Sequence, residues 1–185
     1  MARGRIGVLA LQGGFALHAR ALTSLGHEVA LVRDAEELER VDGLVLPGGE
    51  STTQLRLLAR QGLGPTIERF AAAGRPILAT CAGLILAAKR VVGPTQESVG
   101  LLDVIVARNA WGRQLDSFEA TAAGSALPLV FIRAPRIIER QAAVEVLATY
   151  DGEPVLVRQR NVTGATFHPE LTDTLDVHRE VFGAP

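Results

Sequence analysis

The sequence predicts an α/β fold with a mostly parallel central sheet and a strand-rich second half. Three observations carry this expectation. Before Lys89, short apolar runs alternate with amphipathic stretches, the pattern of a parallel sheet covered on both faces. Within that half, residues 76–89 read as strand, turn and helix in immediate succession. Beyond Lys89 the texture changes to closely spaced strand-like runs with few helices between them. No linker, internal repeat or low-complexity stretch interrupts the chain, so one domain spanning 1–185 is expected.

Taken in order, residues 6–11 (Ile6-Gly7-Val8-Leu9-Ala10-Leu11) read as a buried strand and Gln12-Gly13-Gly14 as the turn after it. Residues 15–25 carry a helical pattern that stops at Gly26, a good C-cap residue. A second strand is expected at 28–32, a short charged helix at 34–40 and a third strand at 43–46. That strand runs into Pro47-Gly48-Gly49-Glu50-Ser51-Thr52-Thr53-Gln54 and a helix at 55–61, in which Ser51 and Gln54 fit a capping box. A further helix at 64–73 precedes a strand at 76–80, and an Ala/Leu-rich helix is expected from 82 to about 89. Strand-like runs follow at 101–106, 118–122, 129–133, 143–150, 155–159 and 162–167, with Asp151-Gly152-Glu153-Pro154 as a hairpin turn. A final helix is expected at 174–182.

Composition excludes several functions. A formal net charge of −1 gives no electrostatic reason to expect nucleic acid or an anionic membrane as partner. One cysteine rules out an internal disulfide framework and a cysteine-rich metal site. No apolar stretch approaches the about 20 residues that span a bilayer, and residues 6–11 are too short for a signal-peptide core, so a cytoplasmic protein is expected.

Chemistry is expected at three places. Cys81 falls on a strand-to-helix corner, where unsatisfied N–H groups and the helix dipole favour a thiolate; small neighbours Ala79, Ala82 and Gly83 permit the tight turn. An unpaired cysteine is also among the most commonly buried residues, and the corner alone does not decide between the two. Pro47-Gly48-Gly49, directly after a strand and before a helix, makes a backbone nest able to face an oxyanion. In open α/β sheets the ligand crevice lies at the carboxyl ends of the strands, where both features fall. In an extended chain, His168 and Glu170 would face the same way with Pro169 stiffening the link, so the carboxylate would orient the imidazole as a general base. A His-X-Glu triplet also arises by chance on surfaces. Of the four histidines, His18, His27 and His178 stand in helical or turn contexts with no comparably placed carboxylate.

Together these segments become specific. Pro47-Gly48-Gly49-Glu50-Ser51-Thr52-Thr53, Thr80-Cys81-Ala82-Gly83-Leu84-Ile85 and Phe167-His168-Pro169-Glu170-Leu171-Thr172, in that order, resemble the glutaminase subunit of pyridoxal 5′-phosphate synthase, the PdxT family of class I-like glutamine amidotransferases. The likeness continues through Leu9-Ala10-Leu11-Gln12-Gly13, through the segment from Arg108 to Glu119, and through Val130-Phe131-Ile132-Arg133-Ala134-Pro135.

The resemblance implies a three-layer, flavodoxin-like amidotransferase fold. It implies Cys81 as nucleophile, His168 as general base and then acid, and Glu170 as the residue orienting His168. It places the oxyanion between the backbone N–H groups of Gly49 and Ala82, and glutamine around Gly49, Glu50, Ser51, Arg108, Ile132 and Arg133. No cofactor or metal of its own is implied. The partners implied are L-glutamine and the synthase subunit PdxS, in a large hetero-oligomer that turns the released ammonia into pyridoxal 5′-phosphate. Two departures stand out: Trp111 replaces an expected phenylalanine, and Gly14-Phe15-Ala16-Leu17 replaces a more polar run beside the region the family uses at its subunit interface. The alternatives are a glutaminase of another amidotransferase pathway, a related cysteine hydrolase with its nucleophile at a similar corner, and a catalytically silent regulatory subunit.

Overall fold

A computed structural model of the chain describes residues 4–108, 110 and 117–183. The order begins β1 (Arg5–Leu9), α1 (Phe15–Ser24), β2 (Glu28–Val32), α2 (Ala35–Glu39), β3 (Gly43–Leu46), α3 (Ser51–Arg60), α4 (Gly64–Ala72), β4 (Ile77–Thr80) and α5 (Ala82–Ala87). It continues β5 (Ala88–Val92), β6 (Leu102–Ala107), β7 (Phe118–Thr121), β8 (Pro128–Phe131), β9 (Arg136–Arg140), β10 (Glu145–Tyr150), β11 (Glu153–Gln159) and β12 (Val162–Ala165). A 3-10 turn (Pro169–Leu171) and α6 (Asp176–Phe182) close it.

The central sheet runs β10-β11-β12-β4-β3-β1-β2. Its strands β12, β4, β3, β1 and β2 are mutually parallel, and β11 and β10 extend it antiparallel as a hairpin. Strands β3 and β4 are buried at every position, which a parallel sheet covered on both faces requires. Alternate residues feed two separate cores. Leu44, Leu46, Ile77 and Ala79 pack with Leu58, Ile67, Phe70 and Leu84 of α3, α4 and α5. Val45, Leu78, Val8 and Ala165 pack on the other face with Leu22 of α1, Val177 of α6, and Leu129 and Phe131 of the β7–β8 pair. The result is the three-layer arrangement the sequence pattern predicts. Among the described residues no helix is long and apolar enough to cross a membrane.

The sequence-based expectations need four corrections. Helix α5 ends at Ala87, because Ala88 turns extended and starts β5, which pairs parallel with β6 and buries Val91. Tertiary pairing here overrides the helical propensity of Ala-Ala-Lys-Arg. Strand β9, also unexpected, pairs antiparallel with β6 to complete a separate three-stranded sheet. The N-cap of α3 is Glu50, one residue before Ser51, since its carboxylate accepts from the N–H groups of Thr52 and Thr53 at 3.1 and 2.7 Å. Finally, the chain after His168 is a 3-10 turn in place of an extended segment. Trp111 lies outside the described residues, as do the other residues of 111–116.

Candidate active site

Cys81 occupies a left-handed conformation, φ 49° and ψ −107°, between β4 and α5. A non-glycine residue there carries about 1–3 kcal/mol of strain, held in place by its surroundings. Its N–H donates to the carbonyl of Ala165 at 2.9 Å, and its own carbonyl accepts from Ile85 N–H at 3.2 Å. Gly83 lets the helix start press against β3: a Cβ there would sit 2.0 Å from the Leu46 carbonyl oxygen. The corner therefore aims Cys81 out of the carboxyl end of the sheet, 6% exposed, into a cleft of about 310 Å³.

That cleft gathers nearly all the residues expected at the site. Gly49, Glu50, Ser51, Cys81, Ala82, Arg108, Ile132, Arg133 and His168 all line it, together with Gln12 and Ile85. Glu170 stands behind His168, its Oε1 accepting from the imidazole Nδ1 at 2.7 Å. The 3-10 turn brings the two together where an extended strand was expected. With Nδ1 occupied, Nε2 is the nitrogen left to exchange a proton with the cleft. Cys81 and His168 flank the Gly48 backbone. A Cβ at Gly48 would lie 2.4 Å from His168 Cε1 and 3.4 Å from Cys81 Cβ, so only glycine fits between them.

Electrostatics bind these groups as a unit. Burial alone would lower the His168 pKa, but the neighbouring Cys81 and the hydrogen-bonded Glu170 carboxylate lift it to about 10. Burial likewise opposes ionisation of Glu170, yet its hydrogen bond to His168 and the nearby imidazoles bring its pKa below the ordinary carboxylate value. At the far end of the cleft Glu50 is held down to about 2, chiefly by the Thr53 hydroxyl and then by the helix N–H groups of Thr53 and Thr52. Arg108 Nη2 lies 3.7 Å from Glu50 Oε1, with a side chain 17% exposed.

The glycine loop is fixed from two sides. Gly14 N–H donates to the Gly48 carbonyl at 2.9 Å, so the trans peptide sends the Gly49 N–H the opposite way. Gln54 Nε2 donates to the carbonyls of Gln12 and Pro47, both at 3.1 Å, and Gln12 Oε1 accepts from Glu50 N–H at 2.9 Å. Gln54 thus works as a brace, and Ser51 donates instead to Gln96 Oε1 at 3.0 Å.

Sequence reasoning missed two features. Gln12 lines the cleft, and the signal for it was its place on the turn after a parallel strand. His18, read as having no carboxylate nearby, is brought by α1 to 3.2 Å from Glu170 Oε2. Nothing in the spacing of the sequence marks that contact. Among the described residues no group of three or more His, Cys, Asp or Glu side chains could hold a metal ion.

Comparison with known proteins points to the glutamine amidotransferases. A family model described as the SNO glutamine amidotransferase family matches residues 8–182. The pyridoxal 5′-phosphate synthase subunit PdxT of Geobacillus kaustophilus is 52% identical over 173 residues, covering 91% of this chain and 88% of that protein. The protein of the same name from a Thermotoga species is 49% identical over 180 residues, covering 95% and 96%. A crystal structure of a glutamine amidotransferase matches with a TM-score of 0.90 and 44% identity, covering 95% of this chain and 96% of that one. The PurLQS structure from Thermotoga maritima shares the fold alone, with a TM-score of 0.69 at 20% identity over 97% of each chain.

Proposed function

The chain belongs to the SNO glutamine amidotransferase family, and from that membership and the cleft around Cys81 we propose how it works as the glutamine-hydrolysing subunit of a pyridoxal 5′-phosphate synthase. It splits L-glutamine into glutamate and ammonia. The observation that carries the mechanism is the juxtaposition, in one cleft, of a strained cysteine at a strand-helix corner with an imidazole already committed to a carboxylate through Nδ1.

In this reading the Cys81 thiolate attacks the side-chain carboxamide carbon of glutamine. The C–S bond forms as the carbonyl electron pair moves to oxygen, and the oxyanion is met by the backbone N–H groups of Gly49 and Ala82. The Ala82 N–H belongs to the first turn of α5, where helical geometry leaves it without an intrahelical acceptor. His168 then gives its proton from Nε2 to the departing nitrogen, and ammonia leaves a glutamyl thioester. Water, deprotonated by the now neutral imidazole, attacks the thioester and returns Cys81. Glu170 keeps the imidazole in the required tautomer and stabilises its cationic form. Arg108 suits the substrate α-carboxylate, since its planar fork can donate two hydrogen bonds. Glu50 holds Arg108, while Ser51, Ile132 and Arg133 complete the walls.

Ammonia released to solvent would be lost to the synthesis, so a synthase subunit, PdxS in this family, would dock to receive it. The Gly48–Gly49 peptide is the natural control point. Its orientation decides whether an N–H or a carbonyl faces the developing oxyanion, and losing one such donor typically costs about 100-fold or more in rate.

The test is covalent trapping with a diazoketone analogue of glutamine, followed by peptide mass spectrometry. One adduct is expected, on Cys81, suppressed by excess glutamine and absent in Cys81→Ala. Absence of any adduct on folded protein in the presence of the synthase subunit would overturn the reading.

A further inference from the structure

Behind the His168–Glu170 pair lies a buried polar chain that the mechanism above does not use. His18 of α1 and His178 of α6 are both fully buried, and Thr80, the residue before the nucleophile, is too. His18 Nε2 lies 3.1 Å from Thr80 Oγ1 and 3.2 Å from Glu170 Oε2, while His18 Nδ1 lies 2.9 Å from His178 Nε2. Glu170 Oε2 has no well-directed hydrogen bond of its own. A buried carboxylate oxygen left without a donor is costly, and this one belongs to the group that orients the proposed general base.

We propose that His18 is a positioning residue of the hydrolytic site: its Nε2–H, shared between Thr80 and Glu170, anchors the second carboxylate oxygen so that the first stays on His168 Nδ1. This rests on the functional reading above. Tautomer logic supports it. If His18 carried its proton on Nδ1, the Nε2 lone pair would face the Oε2 lone pairs at 3.2 Å, and two acceptors would repel. With the proton on Nε2, Nδ1 accepts from His178 Nε2–H, and the donors run in one direction from α6 through α1 to Glu170. His178 Nδ1 is then a bare lone pair, and it has no partner, a milder arrangement than an orphaned N–H.

The charge balance agrees. The groups facing His18 are Glu170 and His168 from the segment after β12 and His178 from α6. Burial pushes His18 below the ordinary imidazole pKa despite Glu170, and His178 down to about 3. Both rings are therefore neutral at neutral pH, and each has one proton to place. Glu170 stays ionised, with His168 as its hydrogen-bonded partner.

The test is an NMR titration of His168, with glutamine turnover measured alongside. In His18→Leu, which removes the donor, His168 is expected to titrate about one pH unit lower than in the wild type. Turnover should fall about tenfold with KM for glutamine unchanged. In His18→Gln, whose amide N–H can reach the Nε2 position, both should return towards wild-type values. An unchanged His168 titration in folded His18→Leu would overturn the proposal, as would a Gln variant as impaired as the Leu variant. Should neither variant fold, nitrogen-15 shifts of the wild-type imidazoles decide: protonated Nε2 and bare Nδ1 on His18 support the proposal, and the reverse refutes it. The His168 titration and the nitrogen-15 shifts need no catalysis, so a wild type that makes no glutamate would sink the functional reading separately.

Discussion

Glu170 is the residue on which the proposed chemistry turns, because its carboxylate is paired with His168 and is itself almost wholly enclosed. Replacing it by Gln removes the charge while keeping shape. The imidazole would then be left to burial, which lowers its pKa, and to Cys81. Glutamine turnover in Glu170→Gln should fall about 100-fold or more, and the alkaline limb of kcat/KM, set in the wild type by a His168 lifted to about 10, should move to lower pH. Arg108 makes a different prediction. Arg108→Leu should raise KM for glutamine about tenfold or more while leaving kcat nearer to wild type, because it would remove a contact common to ground and transition states. Cys81, His168 and Glu170 were legible in the sequence because each sits in a short local motif. His18 was not, because only the packing of α1 against the 3-10 turn brings it to Glu170.

At the scale of elements, the turn after β1 and the glycine loop after β3 behave as one unit. Gly13 has φ +98°, and a Cβ there would fall 1.9 Å from the Gly48 carbonyl oxygen. Gly13→Ala should therefore displace the Gly48–Gly49 peptide. Turnover is expected to drop about 100-fold or more, with a stability loss of about 1–3 kcal/mol measured by denaturant unfolding. Turnover close to wild type would detach this turn from the oxyanion loop. The strand-to-helix corner at Cys81 was legible from an apolar run followed by small residues. The capping of α3 was misread because Ser51 and Gln54 satisfy a local rule that Glu50, one residue earlier, satisfies better. Strands β5 and β9 escaped notice because each is five residues long and earns its conformation from β6, distant in sequence.

Across the whole molecule, the alternation of residues between two cores made the parallel sheet readable in advance. The hairpin β10–β11 was readable too, since Asp151 and Gly152, at φ 50° and 76°, supply the two positive angles its tight turn needs. The fold also makes stability depend on pH through its buried histidines. His178 is depressed to about 3, so its neutral form contributes stability that is present above about pH 6.5 and lost as pH falls towards 3. His168 is raised, so its contribution is present below about 6.5 and lost as pH climbs through about 10. Denaturant midpoints should accordingly decline on the acid side less steeply in His178→Gln than in the wild type. Equal slopes would mean that carboxylates alone govern the acid limb.

The measurement that bears most directly on the account is glutamate release from glutamine by the purified chain, alone and with a pyridoxal 5′-phosphate synthase subunit, with Cys81→Ala as control. Release that is low alone, rises with the synthase and vanishes in Cys81→Ala is the predicted result. Intact protein in a demonstrated complex that releases no glutamate, or a Cys81→Ala variant as active as the wild type, would contradict it.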